Sequence, residues 1–358
     1  MRIGIIGAGQ LGQMLGFAAR ELGHECFYLD PSEAPPAARV GPVVQAAFDD
    51  RVALSILAEK CDVLTYEFEN VPVEALDDIG DTIPISPPLD ALRLAQDRLT
   101  EKQLFERLDI PLPGYHVVDS EGDLRAAADS IGLPLVVKTR RMGYDGKGQF
   151  VIRTEDQIAT AWRDLGGQPL IAEQWVEFDY EVSAIGVRGR DGEVATYCLT
   201  HNEHAEGILR TSRAPVDEPE LTAKGTRYLA RMLEDLDYVG VLALELFVVG
   251  ENLLANEFAP RVHNSGHWTI EGAQTSQFAN HILAVTGGDL GATANIGHAG
   301  MINLIGEIPD AVRRLDEGVL HDYGKSARPG RKLGHITFVA ESAADRDARI
   351  AAIRRSVS

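Results

Sequence analysis

The sequence predicts an α/β protein that opens with a parallel sheet flanked by helices and continues into a larger region richer in strands. Three observations lead there. Short apolar runs alternate with helical segments through roughly the first ninety residues, strand-like runs crowd the stretch after Leu135, and a proline-rich segment separates the two. Arg2–Gly7 reads as a strand, Leu11–Leu22 as a helix and Glu25–Leu29 as a second strand, with further strands at Val63–Thr65 and Thr82–Ile85. Parallel strands need long crossovers, and the intervening helical segments supply them. Ile83–Pro88 (IPISPP) is the natural exit, because proline disfavours helix in the residue before it and punctuates elements.

A leucine-rich helical stretch follows over Asp90–Leu108. Ile110–Pro113 and Gly132–Pro134 then frame a small unit: a strand at His116–Val118, a helix near Leu124–Ile131 and a strand at Leu135–Thr139. Strands are expected next at Gly148–Arg153, Leu170–Trp175, Tyr180–Val187, Val194–Thr200, Val241–Val249 and Asn252–Phe258. Helices are expected at Asp156–Leu165, Pro219–Leu236 and Thr275–Thr286. From about Asn295 come short strands at Met301–Ile305 and Gly334–Val339, then a terminal helix rich in Arg and Ala.

With 358 residues, 45% hydrophobic and 25% charged, the composition is that of a globular chain of two or three domains. The formal charge of −20 argues against nucleic acid or an anionic membrane as the main partner, so any phosphate site must be a local concentration of positive groups. Cys26, Cys61 and Cys198 are too few and too scattered for a disulfide framework or a zinc site, which suits a reducing cytosol. The N-terminal apolar run is short and broken by Gly7, Gly9 and Gln10, so it reads as a buried strand and not as a signal peptide. No apolar stretch approaches the roughly 18 residues of a membrane helix.

Gly7-Ala8-Gly9-Gln10-Leu11-Gly12 matches G-x-G-x-x-G between a strand and a helix, with Asp30 closing the next strand. That pattern fits a dinucleotide site, with glycines admitting a pyrophosphate to a helix N-terminus, and equally a tight turn that needs small residues. A second glycine loop, Gly143-Tyr144-Asp145-Gly146-Lys147-Gly148-Gln149, lies just beyond Lys138 at the end of an apolar strand. Its amide groups can close over phosphate oxygens while the lysine supplies a charge. No Walker A motif is present.

The metal signal lies in Ala243–Val249 and Leu253–Phe258, which flank Gly250-Glu251-Asn252. A three-residue loop sets Val249 opposite Leu253, Phe247 opposite Ala255 and Glu245 opposite Glu257. Facing carboxylates about 4.5–5.5 Å apart at Cβ repel unless a proton or cation lies between them, and Mg²⁺ takes a few carboxylates plus phosphate oxygens and waters. A two-residue loop would instead put the acids on opposite faces. Arg261-Val262-His263-Asn264-Ser265-Gly266-His267 follows at once, and Lys325, Arg328, Arg331 and Lys332 add positive charge near the C-terminus. His201 and His204 lack a third partner for a metal site, so His204 reads as a phosphate contact or plain loop polarity.

Taken together, GAGQLGQM, DRLTEKQLF, GYDGKGQ, EQWVEFDYEVS, LTHNEHAEGILRTS, NEFAPRVHNSGHWT and RPGRKLGH resemble the ATP-grasp superfamily and, within it, the N5-carboxyaminoimidazole ribonucleotide synthases. The resemblance implies a Rossmann-like N-terminal domain over 1–88, an ATP-grasp domain over 89–294 with a small flap-bearing part about 112–180, and a small C-terminal domain over 295–358. It implies that Arg98, Lys138, the flap (Gly143, Tyr144, Asp145, Gly146, Lys147, Gly148 and Gln149) and His204 surround ATP phosphates. Glu173, Gln174, Trp175 and Val176 would hold the adenine, Glu181 the ribose, and Glu245 and Glu257 a Mg²⁺ ion with Asn256 beside them. Aminoimidazole ribonucleotide would meet Tyr144, Asp145, Arg261, His263, Asn264, Ser265, Lys325, Arg331 and Lys332. Tyr144, Asp145, Lys147, Arg261 and Asn264 would be the catalytic group. The activity implied is carboxylation of that ribonucleotide by ATP and bicarbonate through carboxyphosphate, in a cytoplasmic homodimer. The rivals are an ATP-grasp ligase with another acceptor and a nicotinamide dehydrogenase built on Gly7–Gly12 and Asp30.

Overall fold

The computed structural model describes residues 1–143, 148–314 and 318–357. Among them the chain builds three sheets, one after another. The first is parallel, in the order β3-β2-β1-β4, from β1 (Arg2–Ile6), β2 (Glu25–Asp30), β3 (Val43–Gln45) and β4 (Val63–Tyr66). Crossover helices α1 (Gln10–Glu21) and α2 (Arg51–Lys60) cover its faces, so Ile3, Ile5 and Ile6 are all buried although they alternate in direction. After α3 (Val73–Gly80), the strand expected at Thr82–Ile85 forms only a single bridge between Ile85 and Leu64.

The helical stretch expected over Asp90–Leu108 is broken into α4 (Leu89–Ala95) and α5 (Arg98–Arg107). Asp97 is the cause: it adopts an extended backbone, its carboxylate accepts from Leu99 N–H, and it pairs with Arg140 at 2.6 Å. Capping a helix start from the middle of an apolar pattern outcompetes continuation. The restart puts Arg98 in the first turn of a new helix.

The second sheet is antiparallel, ordered β5-β8-β6-β7, from β5 (Tyr115–Val118), β6 (Leu135–Thr139), β7 (Gln149–Ile152) and β8 (Leu170–Gln174). Its core forms against α6 (Glu121–Ile131) and α7 (Ile158–Leu165) through Leu124, Ala127, Val137 and Ile158.

The third sheet takes the rest. It comprises β9 (Tyr180–Arg188), β10 (Val194–Thr196), β11 (Thr200–Ala205), β12 (Ile208–Ala214), β13 (Gly240–Val249), β14 (Asn252–Ala259), β15 (His298–Ile305), β16 (Val319–Asp322) and β17 (Lys332–Ala340). Their order is β14-β13-β9-β11-β12-β15-β17-β16, with β10 paired to β9. The single strand expected at Val194–Thr200 is two: β10 stops at Thr196 and β11 starts at Thr200, so His201 and His204 sit inside a strand. Helices α8 (Pro219–Asp235), α9 (Thr269–Gly272), α10 (Gln277–Thr286) and α11 (Ala343–Val357) complete the chain. The C-terminal strands continue the same sheet, since β15 hydrogen-bonds to β12. The first sheet is tied to this body where Thr65 meets His281 at 2.9 Å and where Lys325 donates to Gln10.

Candidate active site

The hairpin of β13 and β14 brings Glu245 directly opposite Glu257, but not by the expected loop. Val249 pairs with Asn252, so the turn is the two-residue Gly250-Glu251, and Leu246 pairs with Ala255. Continued regularly, that register would send the acids to opposite faces. A β-bulge at Asn256 inserts one unpaired residue and restores the pairing of Glu245 with Glu257. Burial and the facing Glu257 push the Glu245 carboxyl up to about 7. Burial would raise Glu257 as well, yet Arg98 and Lys138 outweigh it and hold Glu257 below its ordinary value; Arg98 donates to its Oε2 at 3.0 Å. The opposite shifts leave Glu257 the more readily ionised acid of the pair. Both are donors a hard divalent ion takes, with substrate phosphate oxygens completing its shell. Among the described residues no group of three or more His, Cys, Asp or Glu side chains could hold a metal, so the pair would need those additional oxygens.

Beneath the pair lies a buried charge cluster. Lys138 on β6 donates to Glu173 Oε2 on β8 at 3.0 Å, and Lys102 on α5 reaches the same oxygen at 3.4 Å. Burial alone would raise the Glu173 carboxyl, but Lys102, Lys138 and Arg98 bring it down to about 2. Burial lowers Lys138, with Glu173 opposing. The resemblance assigns Glu173 to an adenine. Its Oε2 turns into this cluster, while Oε1 is buried without a hydrogen-bond partner among the described residues and the residue is 3% exposed. Next to it Gln174 ends β8, the Trp175 ring lies under the Arg153 guanidinium at 5.2 Å, and Val176 follows in the loop, half-buried.

On the neighbouring strands His204 meets Glu181 at 2.6 Å. Burial would lower the imidazole, but its hydrogen bond to Glu181 and the charge of Glu245 prevail and raise it. His263 Nε2 lies 3.4 Å from Glu245, and its Nδ1 accepts from Ser265 N–H. Ser265 requires a correction. It is fully buried, and its hydroxyl donates to Ser183, which also accepts from Asn202, which in turn accepts from Ser212. Ser265 therefore supports His263 from below and does not offer its hydroxyl to a ligand. Asn264 is different: both its amide oxygen and nitrogen are buried without a hydrogen-bond partner among the described residues, as expected of a group that waits for a ligand. Arg261 pairs with Glu69 at 2.8 Å.

The N-terminal glycine turn is filled from within. Glu67 accepts from Gly9 N–H at 2.7 Å, and a side chain at Gly7, whose φ is +98°, would meet Glu67 atoms at 2.8 Å. Both Asp30 oxygens are taken by the Ala8 and Ser32 amides. A carboxylate thus occupies the place a pyrophosphate would need, and the acid that would take a ribose is spent on the turn. Titration with NADH is expected to leave its fluorescence unchanged; saturable binding would contradict this reading. From the other end of the chain Lys325 reaches Gln10 on this turn and lies 5.7 Å from the Tyr323 ring centroid. Burial and nearby Arg331 lower its amine to about 8. Arg331 donates to Ser326, and Lys332 starts β17.

Arg98, Lys138, Glu181, His204, Glu245, Glu257 and His263 are therefore brought together by contact or charge. Gly143 lies in the loop between β6 and β7, Gln149 opens β7, and a side chain at Gly148, with φ of +72°, would meet Thr139 at 2.7 Å. Tyr144, Asp145, Gly146 and Lys147 lie outside the described residues. Sequence reasoning missed Glu67, Glu101 and Lys102. Lys102 was within reach, since it stands four residues after Arg98 and so on the same helix face.

Three family models match successive parts of the chain. A ribonucleotide synthetase preATP-grasp domain covers residues 1–96, an ATP-grasp domain 103–278, and a phosphoribosylaminoimidazole carboxylase C-terminal domain 299–349. The N5-carboxyaminoimidazole ribonucleotide synthase of Pseudomonas aeruginosa is 47% identical over 355 residues, covering 99% of this chain and 98% of that one. Among solved structures, the N5-carboxyaminoimidazole ribonucleotide synthetase of Thermus thermophilus superimposes with a TM-score of 0.95 at 50% identity, over 99% of this chain and 98% of that one. An Aspergillus clavatus N5-carboxyaminoimidazole synthase in complex with ADP and 5-aminoimidazole ribonucleotide gives a TM-score of 0.92 at 29% identity, over 99% of this chain and 98% of its own.

Proposed function

The chain belongs to the N5-carboxyaminoimidazole ribonucleotide synthase family of ATP-grasp ligases, and from that premise we propose how its residues perform the reaction. The enzyme carboxylates 5-aminoimidazole ribonucleotide to the N5-carboxyamino product at the expense of ATP, in purine biosynthesis. The observation that carries our reading of the site is the bulge that turns Glu257 toward Glu245, beside Arg98, Lys138 and His204.

In this reading Arg98, Lys138 and His204 receive the triphosphate, together with the amides of Gly143–Gln149. Glu245 and Glu257 would hold Mg²⁺, which when bound would neutralise phosphate charge. An oxygen of bicarbonate attacks the γ-phosphorus, the bond to the β–γ bridging oxygen breaks, and ADP and carboxyphosphate result. Little covalent help is needed, so fixed charges do most of the work. The exocyclic amine of the ribonucleotide then attacks the carboxyl carbon; phosphate leaves and the nitrogen loses a proton, for which Asp145 is the proposed acceptor and Tyr144 the proposed orienting group. Lys147, from the same flap, and Arg261 belong to the catalytic group, with Arg261 held by Glu69. Asn264 offers its unpartnered amide to the ribonucleotide, His263 binds beside Glu245, and Lys325, Arg331 and Lys332 face its phosphate. Adenine is held by Glu173–Val176 and ribose by Glu181. A cytoplasmic homodimer, and the three-domain division at residues 88 and 294, complete the proposal; no helix among the described residues is long and apolar enough to cross a membrane.

Phosphate release should require ATP, Mg²⁺, bicarbonate and 5-aminoimidazole ribonucleotide together; release that ignores the ribonucleotide would reject the acceptor. A pH prediction follows from Lys325. An amine lowered to about 8 is charged below that pH and neutral above it. kcat/KM for the ribonucleotide, which reports the free enzyme, should therefore fall above pH 8, and Lys325→Gln should abolish that alkaline limb. The same limb in the variant would assign it to another group.

A further inference from the structure

β14 is the edge strand of the third sheet, so one side of its backbone has no ladder partner and must find hydrogen bonds elsewhere. Ala255 N–H donates to the Pro111 carbonyl at 2.7 Å, the Asn256 carbonyl accepts from Lys102 Nζ at 2.6 Å, and Phe258 N–H donates to Glu101 Oε1 at 2.8 Å. In a regular antiparallel strand, outward N–H groups recur every second residue. Those of Ala255 and Phe258, three apart, both face outward because Asn256 is the extra residue of the bulge. Removing the bulge by slippage would turn Phe258 N–H inward, away from Glu101, and Glu257 to the face opposite Glu245.

We propose that Glu101 and Lys102 are positioning residues that lock this bulge and so register the Glu245–Glu257 pair. One turn of α5 grips three successive residues of β14: Lys102 takes the Asn256 carbonyl, Arg98 the Glu257 carboxylate and Glu101 the Phe258 amide. Lys102 is 0% and Glu101 3% exposed, so both polar groups are committed inside the protein. Lys102 also touches Glu173, which links the clamp to Lys138. The clamp orients the acids without touching substrate. Regular pairing alone would favour the slipped register, because the two-residue turn is followed by a continuous ladder as far as Ala255.

The inference rests on the reading that Glu245 and Glu257 hold the divalent ion, so the test carries a control for that reading. ADP affinity is measured by calorimetry with and without Mn²⁺ in the full-length wild type, Glu101→Leu, Glu101→Gln and Glu257→Gln. Glu101→Leu, which removes the acceptor, should lose about tenfold of the gain in affinity that Mn²⁺ confers, while its affinity for ADP alone changes less than about twofold. Glu101→Gln keeps an acceptor oxygen and should retain the gain. A wild-type gain in Glu101→Leu overturns the clamp, and equal losses in the Leu and Gln variants overturn the acceptor role. A wild-type gain in Glu257→Gln instead overturns the metal reading, whatever the Glu101 variants do. If Glu101→Leu does not fold, Lys102→Met is measured in its place. Its ADP affinity falls in both conditions because Glu173 loses a neighbour, and the clamp requires a further loss with Mn²⁺; equal losses overturn it.

Discussion

Glu257→Gln is expected to lower kcat by about 100-fold or more, the scale seen when one charge-stabilising group is removed from a phosphoryl- or acyl-transfer site. The substitution keeps the shape and removes one carboxylate from the facing pair. With Glu257 neutral, Glu245 loses the like charge that helps hold its proton and Arg98 loses its anionic partner. A divalent ion then has one carboxylate in place of two. The loss should appear in ribonucleotide-dependent phosphate release and in Mn²⁺ affinity. Turnover within about twofold of wild type would remove the metal role from the hairpin.

Glu173→Gln is expected to act first on stability. Its carboxyl stands at about 2, against an ordinary value of 4.5, and it is 3% exposed. A shift of that size corresponds to about 3 kcal/mol, on the order of the penalty for leaving buried charges without their partner. The neutral variant leaves Lys102 and Lys138 facing each other with no anion between them. The sign with pH is definite. A carboxyl depressed in the folded state contributes fully above its unfolded value near 4.5, and the contribution disappears as pH falls through 2. Urea unfolding should therefore separate variant from wild type by about 3 kcal/mol at pH 7, and the gap should narrow steadily below pH 4.5. An unchanged midpoint at pH 7 would mean the cluster does not rest on Glu173. The weakened position of Lys138 should also raise KM for ATP more than KM for the ribonucleotide.

Much of the molecule could be read locally. Apolar runs such as Ile3–Ile6 mark buried parallel strands, because a strand covered on both faces has no polar alternation to obscure it. Strands that escape such a reading, β11 and β12, carry His, Glu, Asn, Arg and Ser on faces that line the cleft or cross-link through Ser183, Asn202 and Ser212. There the functional demand on side chains overrides the pattern on which a strand reading relies. The helix break at Asp97 has the same origin: a polar cap serves the site at the expense of helical continuity. At the glycine turn the motif is compatible with a dinucleotide, and only the position of Glu67, supplied by the end of a different strand, decides against it.

By itself the sequence determined that this is an α/β chain with a glycine flap, a charged strand lysine and an acid-bearing hairpin, since turn residues, alternation and spacing act over a few neighbours. Tertiary structure decided which acids face each other and which turn inward. Glu257 reaches Glu245 through a bulge whose carbonyl is held by a lysine 154 residues away in sequence, and Glu173 is drawn inside by cations from α5 and β6. The physical reason is that an edge strand must satisfy its free backbone groups and a buried carboxylate must find cations, and both requirements are met only by segments that folding brings together.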